Sequence, residues 1–196
     1  MQRTAQRDFL EQGLSREELQ ALRNRRTGLL VFQISWIMAF ICLAIAGWQI
    51  RSTAQQWPPA GVARAPWALP ALATGALALS AFFVRRGLRA VLADAQAAFL
   101  GAWRAGLALG AAFVALIAYE FLAIPYSGVY SNVFRMMTGF HLVHALVIGF
   151  LLARVYQGGR AGRYGPLNFW PVEGAAGLWY FVLVAWLLFF VVLYLL

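Results

Sequence analysis

Four ionisable side chains interrupt otherwise apolar stretches of this 196-residue chain: Glu120, His141, His144 and Glu173. Titratable groups are costly to hold in hydrocarbon, so each such position is a candidate for function. His141 and His144 are three residues apart and therefore share one face of a helix. That pair could carry protons, hold a polar headgroup or ligate a metal. It could as well be hydrogen-bonded to backbone or to hydroxyls such as those of Thr138 and Tyr119. A zinc-type site needs three or four ligands, and the carboxylates lie on other segments. Haem ligation by two histidines wants them on opposing helices, whereas the only two in the chain share one. Nothing has the spacing of a phosphate loop, a nucleophile elbow or a zinc-protease helix. The sequence therefore assigns no catalytic residue, no cofactor ligand and no metal ligand to this chain.

The elements that must position these residues are five long apolar segments, at about 28–50, 66–84, 103–124, 134–155 and 174–196. A helix needs about 20 mostly apolar residues to cross the hydrocarbon at about 1.5 Å per residue. Backbone in lipid must satisfy its own hydrogen bonds, and the alternation of a membrane β-strand is absent. The predicted fold is all-α, a polytopic bundle of five transmembrane helices over 28–196, preceded by a cytoplasmic tail over 1–27. Glu120 then lies about one turn from the end of span three, with His141 about 10 Å and His144 about 15 Å into span four. Arg135, at the start of span four, is a rival partner for Glu120. Glu173 opens span five, where its charge favours the helix dipole; beside Arg154 or Arg163 it could organise a lipid site.

All sixteen basic residues are arginine, and the formal net charge is +9. Thirteen of them fall on the tail and on the second and fourth connections. Only Arg51, Arg64 and Arg135 fall on the other side. The positive-inside rule then predicts a cytoplasmic N-terminus and an external C-terminus, in the inner membrane of a bacterium. Arginines at span ends meet anionic headgroups. Nucleic acid is not a predicted partner, because no basic stripe with interleaved aromatics lies outside the spans. Cys42 is the only cysteine, which excludes an intrachain disulfide and a cysteine metal site.

Residues 1–14 read as poorly ordered. Ser15 followed by Glu18 is a capping-box pattern that predicts a short interfacial helix over 16–26. Trp57, Pro58, Pro59 and Gly61 predict turns in the first connection. Trp48, Trp57 and Trp67 are predicted to mark the outer interface, and Trp103 and Trp170 the inner one. Small residues through span two, with Gly106 and Gly110 four apart in span three, predict close helix packing. Trp179, Tyr180 and Trp186 are expected to pack or to face lipid. The connection 156–173 reads as an ordered turn region. No internal repeat supports an inverted-repeat transporter.

The run Thr138-Gly139-Phe140-His141-Leu142-Val143-His144, continued by Ala145 to Gly149, resembles the signature of subunit III of haem-copper cytochrome c oxidases. Glu120-Phe121 and Tyr126-Ser127-Gly128-Val129-Tyr130 resemble the family's sequence before that helix. Glu173-Gly174-Ala175-Ala176, with Trp179, Phe181, Val182 and Trp186, resembles its last helix. Five spans fit the short form that lacks the first two helices. The resemblance implies a subunit without haem or metal, those centres being expected in a neighbouring catalytic subunit. It implies phospholipid and other respiratory subunits as partners, and support of turnover, proton uptake and oxygen access. Glu120, His141, His144 and Glu173 would serve internal hydrogen bonding and the organisation of lipid or interface, with Arg154 and Arg163 beside them. The chain departs from the family at Trp36, Tyr180 and Leu183, where the family carries a glutamate, a histidine and an aspartate. The predicted function is a non-catalytic, lipid-binding subunit of a terminal oxidase. The alternatives are an accessory subunit of nitric oxide reductase or another respiratory assembly, and a small proton-coupled transporter using Glu120, His141 and Glu173.

Overall fold

The computed structural model describes residues 14–62, 65–124 and 128–196. The expected disorder of the tail, Arg3, Arg7, Arg64, Tyr126 and Ser127 therefore fall outside the described residues, apart from Leu14 at the tail's end. Five helices make up the described chain: α1 (Arg16–Thr53), α2 (Ala68–Leu92), α3 (Gln96–Ala123), α4 (Gly128–Arg160) and α5 (Trp170–Phe190). A π-helical turn over Val191–Leu195 extends α5. Each helix is long and apolar enough to cross a membrane.

Each helix extends past its predicted apolar segment at one end or both, for local reasons. The capping box is present: Ser15 Oγ accepts from the Glu18 amide at 3.3 Å, and Glu18 accepts from the Ser15 amide at 2.8 Å. What begins there is not a separate interfacial helix. No proline or turn signal follows Arg26, so the helix runs on through the first span for 38 residues. Arginine propagates a helix well, so α2 continues through Arg85, Arg86 and Arg89 to Leu92. Ile124 is extended because Pro125 follows it, and this ends α3. Gly162, at φ +67, makes the left-handed turn after α4.

Hydrogen bonds between helix ends fix an alternating, antiparallel order. At one end Gln96 of α3 donates to the Gly159 carbonyl of α4, and Arg26 of α1 meets Glu173 of α5. At the other end the Tyr194 hydroxyl donates to Glu120 of α3. The Ala65 amide there donates to the Tyr130 hydroxyl of α4. The first of these carries most of the arginines and is called the basic end below.

The core lies between α2, α3, α4 and α5, around fully buried Trp103, Trp179 and Trp186. An indole N–H in hydrocarbon needs an acceptor, and each finds one. Trp103 donates to the Leu152 carbonyl at 2.9 Å, Trp179 to Ser80 Oγ at 2.9 Å, and Trp186 to Thr74 Oγ1 at 2.7 Å. Glycine makes room for these rings. A Cβ at Gly110 would stand 2.7 Å from Trp179 Cζ2, and one at Gly87 would stand 2.9 Å from Trp103 Cε3. The small-residue spacing thus does what close packing requires. Ser80 closes the pattern by donating to the Gly106 carbonyl at 2.6 Å. α1 is attached differently. Only 11% of its most apolar stretch is buried, against 39% for α5, so most of α1 faces outward.

Candidate functional site

The predicted site residues do not converge on one point. Glu173, one turn into α5, receives Arg26 of α1 in a two-point ion pair: Nε to Oε2 at 3.0 Å and Nη2 to Oε1 at 3.1 Å. Arg154 and Arg163, its predicted neighbours, are exposed, and their guanidinium groups have no partner among the described residues. The reason is the unbroken α1, which carries Arg26 along the start of α5. Gln33, two turns further along α1, donates to the Gly177 carbonyl at 2.8 Å. Together these contacts staple α1 to α5 at the basic end. They enclose a cleft of about 330 Å³, lined also by Leu88, Trp170 and Tyr180.

Glu120 is buried near the opposite end and accepts from the Tyr194 hydroxyl at 2.8 Å. Its Oε1 is enclosed with no hydrogen-bond partner among the described residues. Arg135 is buried too; it donates to the Ile124 carbonyl and lies 4.4 Å over the ring of Phe121. Tyr194 is the residue that sequence reasoning misses. One tyrosine in an apolar terminal run carries no spacing signal, and only the π-helical turn shows where its hydroxyl goes.

His141 and His144 share a helical face and yet occupy different surroundings. His141 is fully buried among rings, with Trp186 at 5.2 Å, Phe113 at 5.8 Å and Phe40 at 6.0 Å between centroids. Neither of its nitrogens has a hydrogen-bond partner among the described residues. Thr138 donates back to the Phe134 carbonyl, and Tyr119 is exposed, so neither hydroxyl serves it. His144 Nδ1 lies 2.6 Å from the Phe140 carbonyl. A carbonyl only accepts, so Nδ1 carries the proton. Its ring meets Trp36 edge-on at 4.7 Å and Phe40 at 5.1 Å. Trp36 and His144 also line an almost wholly apolar groove of about 340 Å³ between α1, α4 and α5.

Two tryptophan expectations separate. Trp48 and Trp67 are exposed near the end of α1 and the start of α2, as interface markers would be. Trp103 is not such a marker. The space left by Gly87 draws its ring into the core, where the Leu152 carbonyl takes its N–H. Trp179 and Trp186 pack inward.

This arrangement can hold helices together and offer two clefts to amphiphiles. No three of His, Cys, Asp and Glu converge among the described residues. Among the described residues the donors do not converge on a metal or haem: the imidazoles share a helix, one is walled by rings, and Glu120 and Glu173 lie at opposite ends.

The sequence model of the family described as cytochrome c oxidase subunit III matches residues 6–196. The chain is 33% identical over 176 residues to cytochrome c oxidase subunit 3 of Thermostichus vulcanus, covering 88% of this chain and 87% of that protein. It is 28% identical to the Synechocystis protein of the same name, over 88% and 76% of the two chains. Identity to that of Pylaiella littoralis is 29%, over 96% and 73%.

Proposed function

This chain belongs to the cytochrome c oxidase subunit III family, and from that premise we propose that it is a non-catalytic, lipid-binding subunit seated beside the haem- and copper-bearing subunit of a terminal oxidase. Multi-pass membrane residence follows from the five spans and the family. The arginine-rich end faces the cytoplasm of a bacterium, and phospholipid and the other oxidase subunits are its partners. One observation carries the non-catalytic part. The buried polar side chains are spent on holding helices or sealed among rings, and no two of the predicted site residues combine into a reactive pair. Glu120 binds Tyr194, Glu173 binds Arg26, and His141 and His144 are packed against aromatic rings.

Purification of the membrane complex through a tag on this chain tests the reading. The expected result is co-purification of a subunit with haem and copper, which keeps its optical spectrum after this chain is stripped away. The stripped oxidase should start at nearly full rate and decay faster during turnover. A partner with non-haem iron in place of copper would instead assign the chain to a nitric oxide reductase. The replaced polar positions are the reason to include that outcome: Trp36 lines the apolar groove, and Tyr180 lines the basic-end cleft.

A further inference from the structure

We propose that the apolar groove between α1, α4 and α5 holds one isoprenoid hydroquinone, whose phenolic O–H donates to His144 Nε2. Such a ligand differs from a phospholipid in carrying a hydrogen-bond donor to mid-membrane depth. Binding alone is assigned to this chain, with no electron transfer.

Four observations select this class of ligand. The first is an acceptor that lacks a donor. His144 Nδ1 gives its proton to the Phe140 carbonyl, so Nε2 carries a lone pair. Nε2 has no hydrogen-bond partner among the described residues, and it is not enclosed as both nitrogens of His141 are. His144 lines the groove, which is where a donor can reach it. Gln33, the other polar residue of the wall, keeps its amide nitrogen on the Gly177 carbonyl. The second observation is depth. His144 lies about 15 Å into a hydrocarbon layer about 30 Å thick, a level where acyl chains offer no donor and headgroups do not reach. The third is width. The groove has a volume of about 340 Å³, and its wall on α4 runs from Val143 to Leu151, about 12 Å of helix, which leaves a section of about 30 Å². A helix, about 10 Å across with its side chains, does not fit that section; a flat ring or a single isoprenoid chain does. The fourth is the wall itself, where Phe32, Trp36 and Phe181 offer aromatic faces to a ring. A hydroquinone brings a flat ring, an apolar tail and an O–H that is costly in hydrocarbon until it finds an acceptor. The corresponding quinone has nearly the same shape and no donor, so the groove discriminates between the two oxidation states.

The test is native mass spectrometry of the full chain in nonionic detergent, titrated with decylubiquinol under reducing conditions or with decylubiquinone. The expected result is one quinol per chain, retained about fivefold more tightly than the quinone, as one hydrogen bond to a neutral acceptor provides. H144F keeps an aromatic ring and removes the acceptor. Quinol retention should then fall about fivefold, to the level of the quinone, while quinone retention stays unchanged. V147W fills the groove from an exposed position of its wall and should abolish retention of both. Equal retention of quinol and quinone by the unaltered chain would overturn the proposal, and that comparison requires no variant to fold. Unchanged quinol retention in V147W would place the ligand elsewhere and overturn the groove. Displacement of the quinol by equimolar phosphatidylcholine would identify an acyl chain as the occupant and overturn the hydroquinone. The intact complex, titrated in the same way, should lose one bound quinol when it carries the V147W chain. No such difference in the complex would mean that a neighbouring subunit covers the groove, and would overturn the site.

Discussion

Glu173 and Glu120 are both carboxylates on helices that cross the bundle, and the two ends treat them in opposite ways. At the basic end Glu173 is partly open and is held by charge, through two contacts with Arg26. At the other end Glu120 is sealed, and a neutral tyrosine hydroxyl satisfies one of its oxygens. The difference follows from solvent. Near headgroups an ion pair keeps most of its hydration and gains Coulomb energy modestly. Deep among apolar side chains full charges are expensive, and a hydrogen bond to a neutral group is the cheaper arrangement. His141 extends the second style to its limit, with rings on several sides. The basic end therefore keeps a partly open ion pair, while the opposite end behaves as packed core.

The largest effect should come from emptying that core. H141A leaves a cavity between Phe40, Phe113 and Trp186 and is expected to cost about 2–4 kcal/mol, read as a lowered thermal midpoint of the detergent-solubilised chain. H141F should recover most of it, because shape rather than nitrogen chemistry fills the site. If H141F were as damaging as H141A, the imidazole would have a polar partner and the dry-core half of the comparison would fail. Loss of turnover in a fully assembled H141F complex would restore a proton role.

Next in size is Y194F, which strips Glu120 of its donor and should cost about 1–3 kcal/mol. E120Q preserves an acceptor for Tyr194 and should cost about 1 kcal/mol or less. Thermal scans of both variants at low and high salt should move together, because a contact sealed away from solvent is little screened. The Arg26–Glu173 pair should show a smaller coupling, about 1 kcal/mol or less in a double-mutant cycle of R26A and E173A. That coupling should shrink at high salt. A salt-insensitive Arg26–Glu173 coupling would erase the contrast between the ends.

The smallest effect belongs to the capping box. Hydrogen bonds from the backbone and then the side chain of Ser15 hold the exposed Glu18 carboxyl below its ordinary value of 4.5. Its folded value is depressed, so its contribution is complete above that ordinary value and fades as pH falls through the lower, folded one. Amide exchange over the first turn of α1 should quicken in acid across that window, with no change in the rest of the bundle.

Much of this was legible beforehand, and the physical reasons are plain. Five apolar runs dictate five helices, since lipid leaves the backbone no alternative. The glycine and alanine spacing of Gly106 and Gly110 announced close packing, and Val84 and Trp179 now occupy that space. Ser15 and Glu18 marked a helix start because both capping partners are local. Partners distant along the chain were not legible. Arg26 meets Glu173 from 147 residues away, and Tyr194 meets Glu120 from 74 away, and neither pairing leaves a mark on local spacing. Trp103 looked like an interface residue because tryptophan favours that depth, and its burial depends on the absent side chain of Gly87 across the helix pair. The six site residues read from the sequence were candidates one by one; the structure places Glu173, Arg154 and Arg163 toward the basic end, Glu120 toward the other, and His141 and His144 in the middle of α4.

The claim beneath all of this is that the chain assembles and supports a redox partner without holding a redox centre. Optical and metal analysis of the complex, before and after this chain is stripped from it, tests that most directly. The account predicts that haem and copper stay entirely with the remaining subunits, while the released chain is colourless. A haem spectrum or stoichiometric copper on the released chain would contradict it.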